Sequence, residues 1–205
     1  MKKYYMITVT LLTFTLTGCS NYGEKYLEQH KEIVSQVLQK SNQNELFGDL
    51  NVEEQQLYTI ILEEGKDTIN NVTKQMASAV SVISKGQKLI DEEKAKIVEQ
   101  KQLLNKSEET LKKLKDTKED KQIKLLHETY IDRLDAYDKA LTKYDELLCK
   151  KSRLYGSLQN GKELKAISAS VDEVNALSKQ VGKYVNEFNE ATKAYNKTRN
   201  QLSKA

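Results

Sequence analysis

Ile69, Met76, Ile83, Ile90, Ile97, Leu104 and Leu111 stand seven residues apart without a gap, and Leu62 extends the series backwards. Seven-residue spacing keeps side chains on one stripe of a slightly supercoiled helix, and over this many heptads it specifies coiled-coil-like packing. Tyr58, Val72, Ala79 and Leu114 lie on the same seam, whereas Gly65, Gly86, Glu93 and Gln100 interrupt its second row. Those interruptions predict a bend or loose packing. The absence of proline removes the strongest helix breaker from the whole chain.

Two further seams follow. Leu134, Leu141, Leu148 and Tyr155 alternate with Ile123, Tyr130, Tyr137, Tyr144 and Leu158; then come Ile167, Val174, Val181, Phe188, Tyr195 and Leu202, with Val171 and Val185 on the other row. Asp116–Asp120 reads as a short polar connection, and Gln159-Asn160-Gly161-Lys162 as a helix stop and turn. Short connections make neighbouring helices antiparallel. A first helix is predicted from about Tyr22 to Gln39, with Tyr26, His30, Ile33 and Val37 on one face. Ser41–Asn44 ends it, Leu46-Phe47-Gly48 reads as a loop, and Asp49 or Asn51 is placed to cap the next helix. The fold class is all-α: an elongated, antiparallel up-and-down bundle of four helices. Two arrangements stay open around Gly65. An unbroken helix over 52–115 would approach about 95 Å; a break would make residues 22–64 a two-part fourth element.

The N-terminus carries a different kind of information. Lys2 and Lys3 precede an uncharged run from Tyr4 to Leu16, diluted by Thr8, Thr10, Thr13 and Thr15, and then Leu16-Thr17-Gly18-Cys19. This is the order of a secretory signal, with a cysteine where a small residue ordinarily marks cleavage. The run is far shorter than the ~20 residues that cross a bilayer as a helix. The expected division is a lipoprotein signal peptide over 1–18 and a mature, lipid-anchored helical domain over 19–205. Two acyl chains on Cys19, at about 0.8 kcal/mol per buried methylene, anchor a protein stably where one does not.

Cleavage there removes Lys2 and Lys3 and lowers the formal charge from +3 to +1, with 31 Lys or Arg against 30 acids. A near-neutral mature chain gives no electrostatic case for nucleic acid as a partner. It also leaves Cys149 as the one cysteine besides the lipidated Cys19, so no internal disulfide is expected, and Cys149 reads as a small apolar residue of a bundle.

Catalytic and metal signatures are lacking. His127-Glu128 starts like a zinc-protease motif, but Ile131 stands where the second histidine belongs; Leu27 and Lys124 stand where a di-iron Glu-x-x-His pattern needs glutamate. There is no glycine-rich phosphate loop and no Gly-x-Ser-x-Gly elbow. The chain is expected to be non-enzymatic, with no cofactor and no metal site. Tyr130, Tyr137 and Tyr144 share one heptad row. Their rings pack in the seam with hydroxyls at the rim, or else form an aromatic stripe able to stack on glycan or protein, a possible binding surface. Lys112, Lys113, Lys115, Lys118, Lys121 and Lys124 cluster at the second connection, interrupted by Asp116, Glu119 and Asp120.

Taken with Lys88-Leu-Ile-Asp-Glu-Glu-Lys94 and Arg133-Leu-Asp-Ala-Tyr-Asp-Lys139, the Leu16–Cys19 segment makes the chain resemble the YkyA-type cell-wall-binding lipoproteins of Gram-positive bacteria over essentially its whole length. In that family Cys19 is the lipidated residue of a lipobox formed by Leu16, Thr17, Gly18 and Cys19. The resemblance implies a four-helix bundle on the extracytoplasmic face of the cell membrane. Cys19 is the one functional residue it carries over; the threonine-diluted signal and Cys149 depart from its pattern. The expected role is a lipid-anchored envelope protein touching cell-wall polymer or an envelope protein. The alternative is an accessory or scaffold subunit of a membrane or secretion complex, binding protein partners through its helical rod.

Overall fold

The computed structural model describes residues 21–38, 43–64, 72–159 and 164–203, with backbone alone at 36–38, 43–48 and 164–166. Five helices account for nearly all of them: α1 (Asn21–Leu38), α2 (Gln43–Glu64), α3 (Thr73–Lys112), α4 (Lys118–Gln159) and α5 (Leu164–Leu202). No strand occurs among the described residues. At about 1.5 Å per residue, α3 and α4 each run roughly 60 Å.

The first seam is the inner face of α3. Met76, Ile83, Ile90, Ile97 and Leu104 are all buried, as are Val72 and Ala79 beside them. On α4, Leu134, Leu141, Leu148 and Tyr155 are buried with Ile123, Leu126 and Tyr130, and these residues join those of α3 in one core. On α5 the row is less deeply covered: Val174, Tyr195 and Leu202 are buried, Ile167, Val181 and Phe188 are half-buried, and Val185 is exposed. The reason is that α5 packs chiefly on α4, while α3 is shared among α1, α2 and α4.

Four elements were expected and five helices are present among the described residues, because the fourth element is in two pieces. The helix over 52–115 is interrupted between α2, which ends at Glu64, and α3, which starts at Thr73. Both α1 and α2 run antiparallel to α3, one near each of its ends. Tyr26 of α1 meets His127 early in α4, and Asn51 and Glu54 of α2 meet Tyr144 and Lys151 late in α4. Residues 65–71, Ile69 among them, lie outside the described residues. Two local expectations are corrected. The helix of α2 begins at Gln43, so Leu46-Phe47-Gly48 is helical, and Asp49 and Asn51 lie inside the helix rather than capping it. The Asn51 side chain instead accepts the Tyr144 hydroxyl at 3.0 Å.

The turn between α3 and α4 is set by local chemistry. The last turn of α3 tightens, with Lys113 N–H donating to Thr110 O and Leu114 N–H to Leu111 O. Leu114 is buried at the bundle's end. Thr117 Oγ1 then accepts Asp120 N–H at 3.1 Å, an N-cap geometry, and Glu119 and Asp120 place negative charge at the positive end of α4.

Candidate functional site

Leu16, Thr17, Gly18 and Cys19 lie outside the described residues. What the structure does place is the first turn of α1, two residues later. Lys113 Nζ, in the α3–α4 turn, sits 5.6 Å from the centroid of the Tyr22 ring. The covalent chain from Asn21 back to Cys19 spans at most about 7 Å. Any group borne by Cys19 is therefore tied close to that end of the bundle, where α1 starts, α3 ends, α4 starts and α5 ends.

The tyrosine row of α4 faces its neighbours. Tyr130 is buried and its hydroxyl donates to Gln100 Oε1 at 2.8 Å; Tyr137 is half-buried, donates to Glu93 Oε2 at 3.2 Å and stacks on Phe188 at 4.8 Å; Tyr144 is half-buried and donates to Asn51. The polar interruptions of the α3 seam are thus occupied sites. Gln100 and Glu93 each take a tyrosine hydroxyl from α4. At Gly86 the space of an absent Cβ is bounded by Leu148 Cδ1, which would stand 3.2 Å from it. Seven-residue steps on α3 meet seven-residue steps on α4, so these pairs hold the two helices in register.

Around Tyr130 lies a cluster that periodicity alone does not disclose. It contains both histidines of the chain, 97 positions apart, with Tyr26 and Tyr195. Tyr26 Oη and His127 Nδ1 are hydrogen-bonded at 2.8 Å, and His30 Nε2 and Tyr195 Oη at 3.1 Å. His30 meets the Tyr130 ring edge-on at 4.9 Å, and Tyr130 and Tyr195 are also 4.9 Å apart. The Arg133 guanidinium lies 5.4 Å from the Phe188 ring and 5.9 Å from that of Tyr130, and its Nε donates to Thr192. One residue set thereby joins α1, α3, α4 and α5.

Burial dominates the electrostatics. It pulls His30 down to about 3, with the charges of His127 and Arg199 acting in the same direction. It lowers His127 as well, partly offset by Glu108 and Glu128. It raises the phenols of Tyr26, Tyr130 and Tyr195 above their ordinary value. In each Tyr–His pair the acid is weakened and the base is weakened, which moves both pairs away from proton transfer at neutral pH. The arrangement serves as a neutral hydrogen-bonded clamp.

A second clamp sits at the far end. The Lys151 ammonium pairs with Glu54 Oε2, Tyr155 donates to Glu54 Oε1 at 3.1 Å, and Lys151 Nζ lies 4.8 Å from the Tyr58 ring centroid. Lys151 and Glu54 are 5% and 1% exposed, which makes this a fully desolvated ion pair. Neither residue has a sequence signal beyond its place on a helix.

Cys149 is half-buried on α4, where Gln87 Nε2 donates to its sulfur at 3.2 Å and to Asp145 at 3.0 Å. Among the described residues, no three His, Cys, Asp or Glu side chains come together as a metal site, and no helix is long and apolar enough to cross a membrane. Lys112, Lys113, Lys115, Lys118 and Lys121 are exposed at the α3–α4 turn, and Lys124 is half-exposed, bridging to Asp116 at 3.4 Å.

A family model described as "Putative cell-wall binding lipoprotein" (YkyA) matches residues 22–205. Protein PFC0760c of Plasmodium falciparum (isolate 3D7) is 26% identical over 137 residues, which are 66% of this chain and 4% of that protein. No solved structure matches the chain.

Proposed function

Because the chain belongs to the YkyA family, we propose that it is a non-enzymatic lipoprotein, anchored through a lipid on Cys19 to the extracytoplasmic face of the cell membrane. Its helical rod contacts cell-wall polymer. The observation that carries this reading is where α1 starts. Its first turn lies against the α3–α4 turn at one end of the rod, so a lipid two residues upstream of Asn21 tethers the bundle by an end. The opposite end, with the Glu54–Lys151 clamp, then stands up to about 60 Å from the membrane. The Leu16–Cys19 lipobox and the Lys2-Lys3 start support secretion and lipidation.

The test is a pull-down of the detergent-solubilised protein on purified peptidoglycan, run beside cross-linking in intact cells. Retention on peptidoglycan, competed by soluble wall fragments, is the expected result. Failure to bind, together with a discrete protein cross-link in cells, would replace wall contact with a role as an accessory subunit of an envelope complex.

A further inference from the structure

The end of the bundle that carries the anchor point differs in charge from the rest. Gln100, Tyr130, His30 and Tyr195 form one layer across α3, α4, α1 and α5. From that layer to the α3–α4 turn, residues 21–30, 100–130 and 195–205 hold twelve Lys or Arg against eight Asp or Glu. The remainder of 19–205 holds nineteen against twenty-two. The sign of the charge therefore changes along the rod.

At the tip, residues 108–121 hold five lysines and five acids, and what differs is exposure: Lys112, Lys113, Lys115, Lys118 and Lys121 are exposed, whereas Asp120 is buried, Glu119 is half-buried and Asp116 is held by Lys124 at 3.4 Å. The final stretch 191–205 contains no acid at all while supplying the exposed Lys197. Apolar surface is left at the same end: Tyr22 is 45% exposed and Leu125 43% exposed. Tyrosine is a side chain favoured at the membrane–water boundary, where its ring meets the headgroup level.

We propose that this end is a foot that rests on anionic phospholipid headgroups, with Lys113, Lys115, Lys118 and Lys121 as the contacting cations and Tyr22 at the interface. The inference rests on the lipid anchor at Cys19 proposed above, because the anchor keeps these lysines within a few ångströms of the bilayer, inside the screening length of about 8–10 Å. The foot adds orientation to attachment. An acyl anchor alone leaves the rod free to tilt, whereas several lysines around the anchor point hold it upright and present the far end to the wall.

The full lipidated protein is reconstituted in vesicles of neutral phosphatidylcholine or of phosphatidylcholine with phosphatidylglycerol, and the amine reactivity of each lysine is mapped by mass spectrometry. The expected result is protection of Lys115, Lys118 and Lys121 by roughly fivefold or more on anionic vesicles, reversed by 1 M salt, with Lys74 and Lys85 unchanged. The quadruple variant Lys113→Gln, Lys115→Gln, Lys118→Gln, Lys121→Gln should keep its helical circular dichroism and lose the phosphatidylglycerol-dependent protection of Lys112, which is exposed at the same turn. Co-flotation with neutral vesicles in 1 M salt reports the anchor separately. Flotation without lysine protection overturns the foot and leaves the anchor standing; protection without flotation overturns the anchor. Lysine protection by isolated anionic wall polymer, and none by vesicles, would also overturn the foot.

Discussion

The hydroxyl of Tyr130 on α4 donates to the side-chain carbonyl of Gln100 on α3 at 2.8 Å, and both residues are buried. A glutamine in a coiled-coil seam is ordinarily a weakness, because an amide taken out of water without a partner costs about 1–3 kcal/mol. Here the phenol supplies the partner and the aromatic area together. Glu93 with Tyr137 repeats the pairing one heptad along. The register of α3 on α4 is therefore specified by polar pairs as well as by apolar rows.

Tyr130→Phe should destabilise the bundle by about 1–3 kcal/mol, since it leaves the Gln100 carbonyl buried and unpaired. Adding Gln100→Leu should recover most of that loss. Urea unfolding of the two single variants and the double variant measures the coupling. Strictly additive losses would contradict the pairing.

Lys151→Met removes one half of a desolvated ion pair and leaves Glu54 buried without its cation, a change expected to cost about 3–5 kcal/mol. Lys151→Met combined with Glu54→Leu should be markedly more stable than Lys151→Met alone, because no buried charge then remains. Thermal unfolding followed by circular dichroism distinguishes the two cases. A mild effect of Lys151→Met by itself would show that the pair is hydrated in solution.

Stability should fall as pH drops below neutral. His30 is held at about 3 in the folded chain against an ordinary value near 6.5, and His127 is lowered too. The unfolded chain thus binds these protons first. The stabilisation is complete above about pH 6.5 and is lost as pH falls towards the folded value of His30. Between pH 7 and pH 5, before most carboxylates titrate, His30 alone should remove about 2 kcal/mol. His30→Phe should flatten the profile over that window; profiles parallel to the parent chain would contradict the burial of a neutral imidazole.

Periodicity identified the faces that are buried, because burial repeats with the helix. The rows from Met76 to Leu104 and from Leu134 to Tyr155 lie where their spacing predicts. The weaker α5 row shows the limit of that reasoning. Val185 has the right spacing but is exposed, since α5 packs mainly on one neighbour. The helix of α2 runs through Phe47 and Gly48 because glycine and asparagine signals are weak beside tertiary packing of α2 on α3. Opposing partners were not legible at all. Gln100 and Tyr130, Glu54 and Lys151, and His30 and Tyr195 are pairs fixed by how antiparallel helices slide past one another, and a pattern within one helix contains no record of that offset. The basic cluster was visible as a run of lysines, but its position beside the start of α1 came from the fold.

A diacylglycerol on the Cys19 thiol is read from the mass of the N-terminal peptide of the protein extracted from membranes. The expected peptide begins at Cys19 and carries that lipid, with Cys19→Ser abolishing fatty-acid label and accumulating the uncleaved precursor. An unmodified Cys19, or undiminished label on Cys19→Ser, would contradict it.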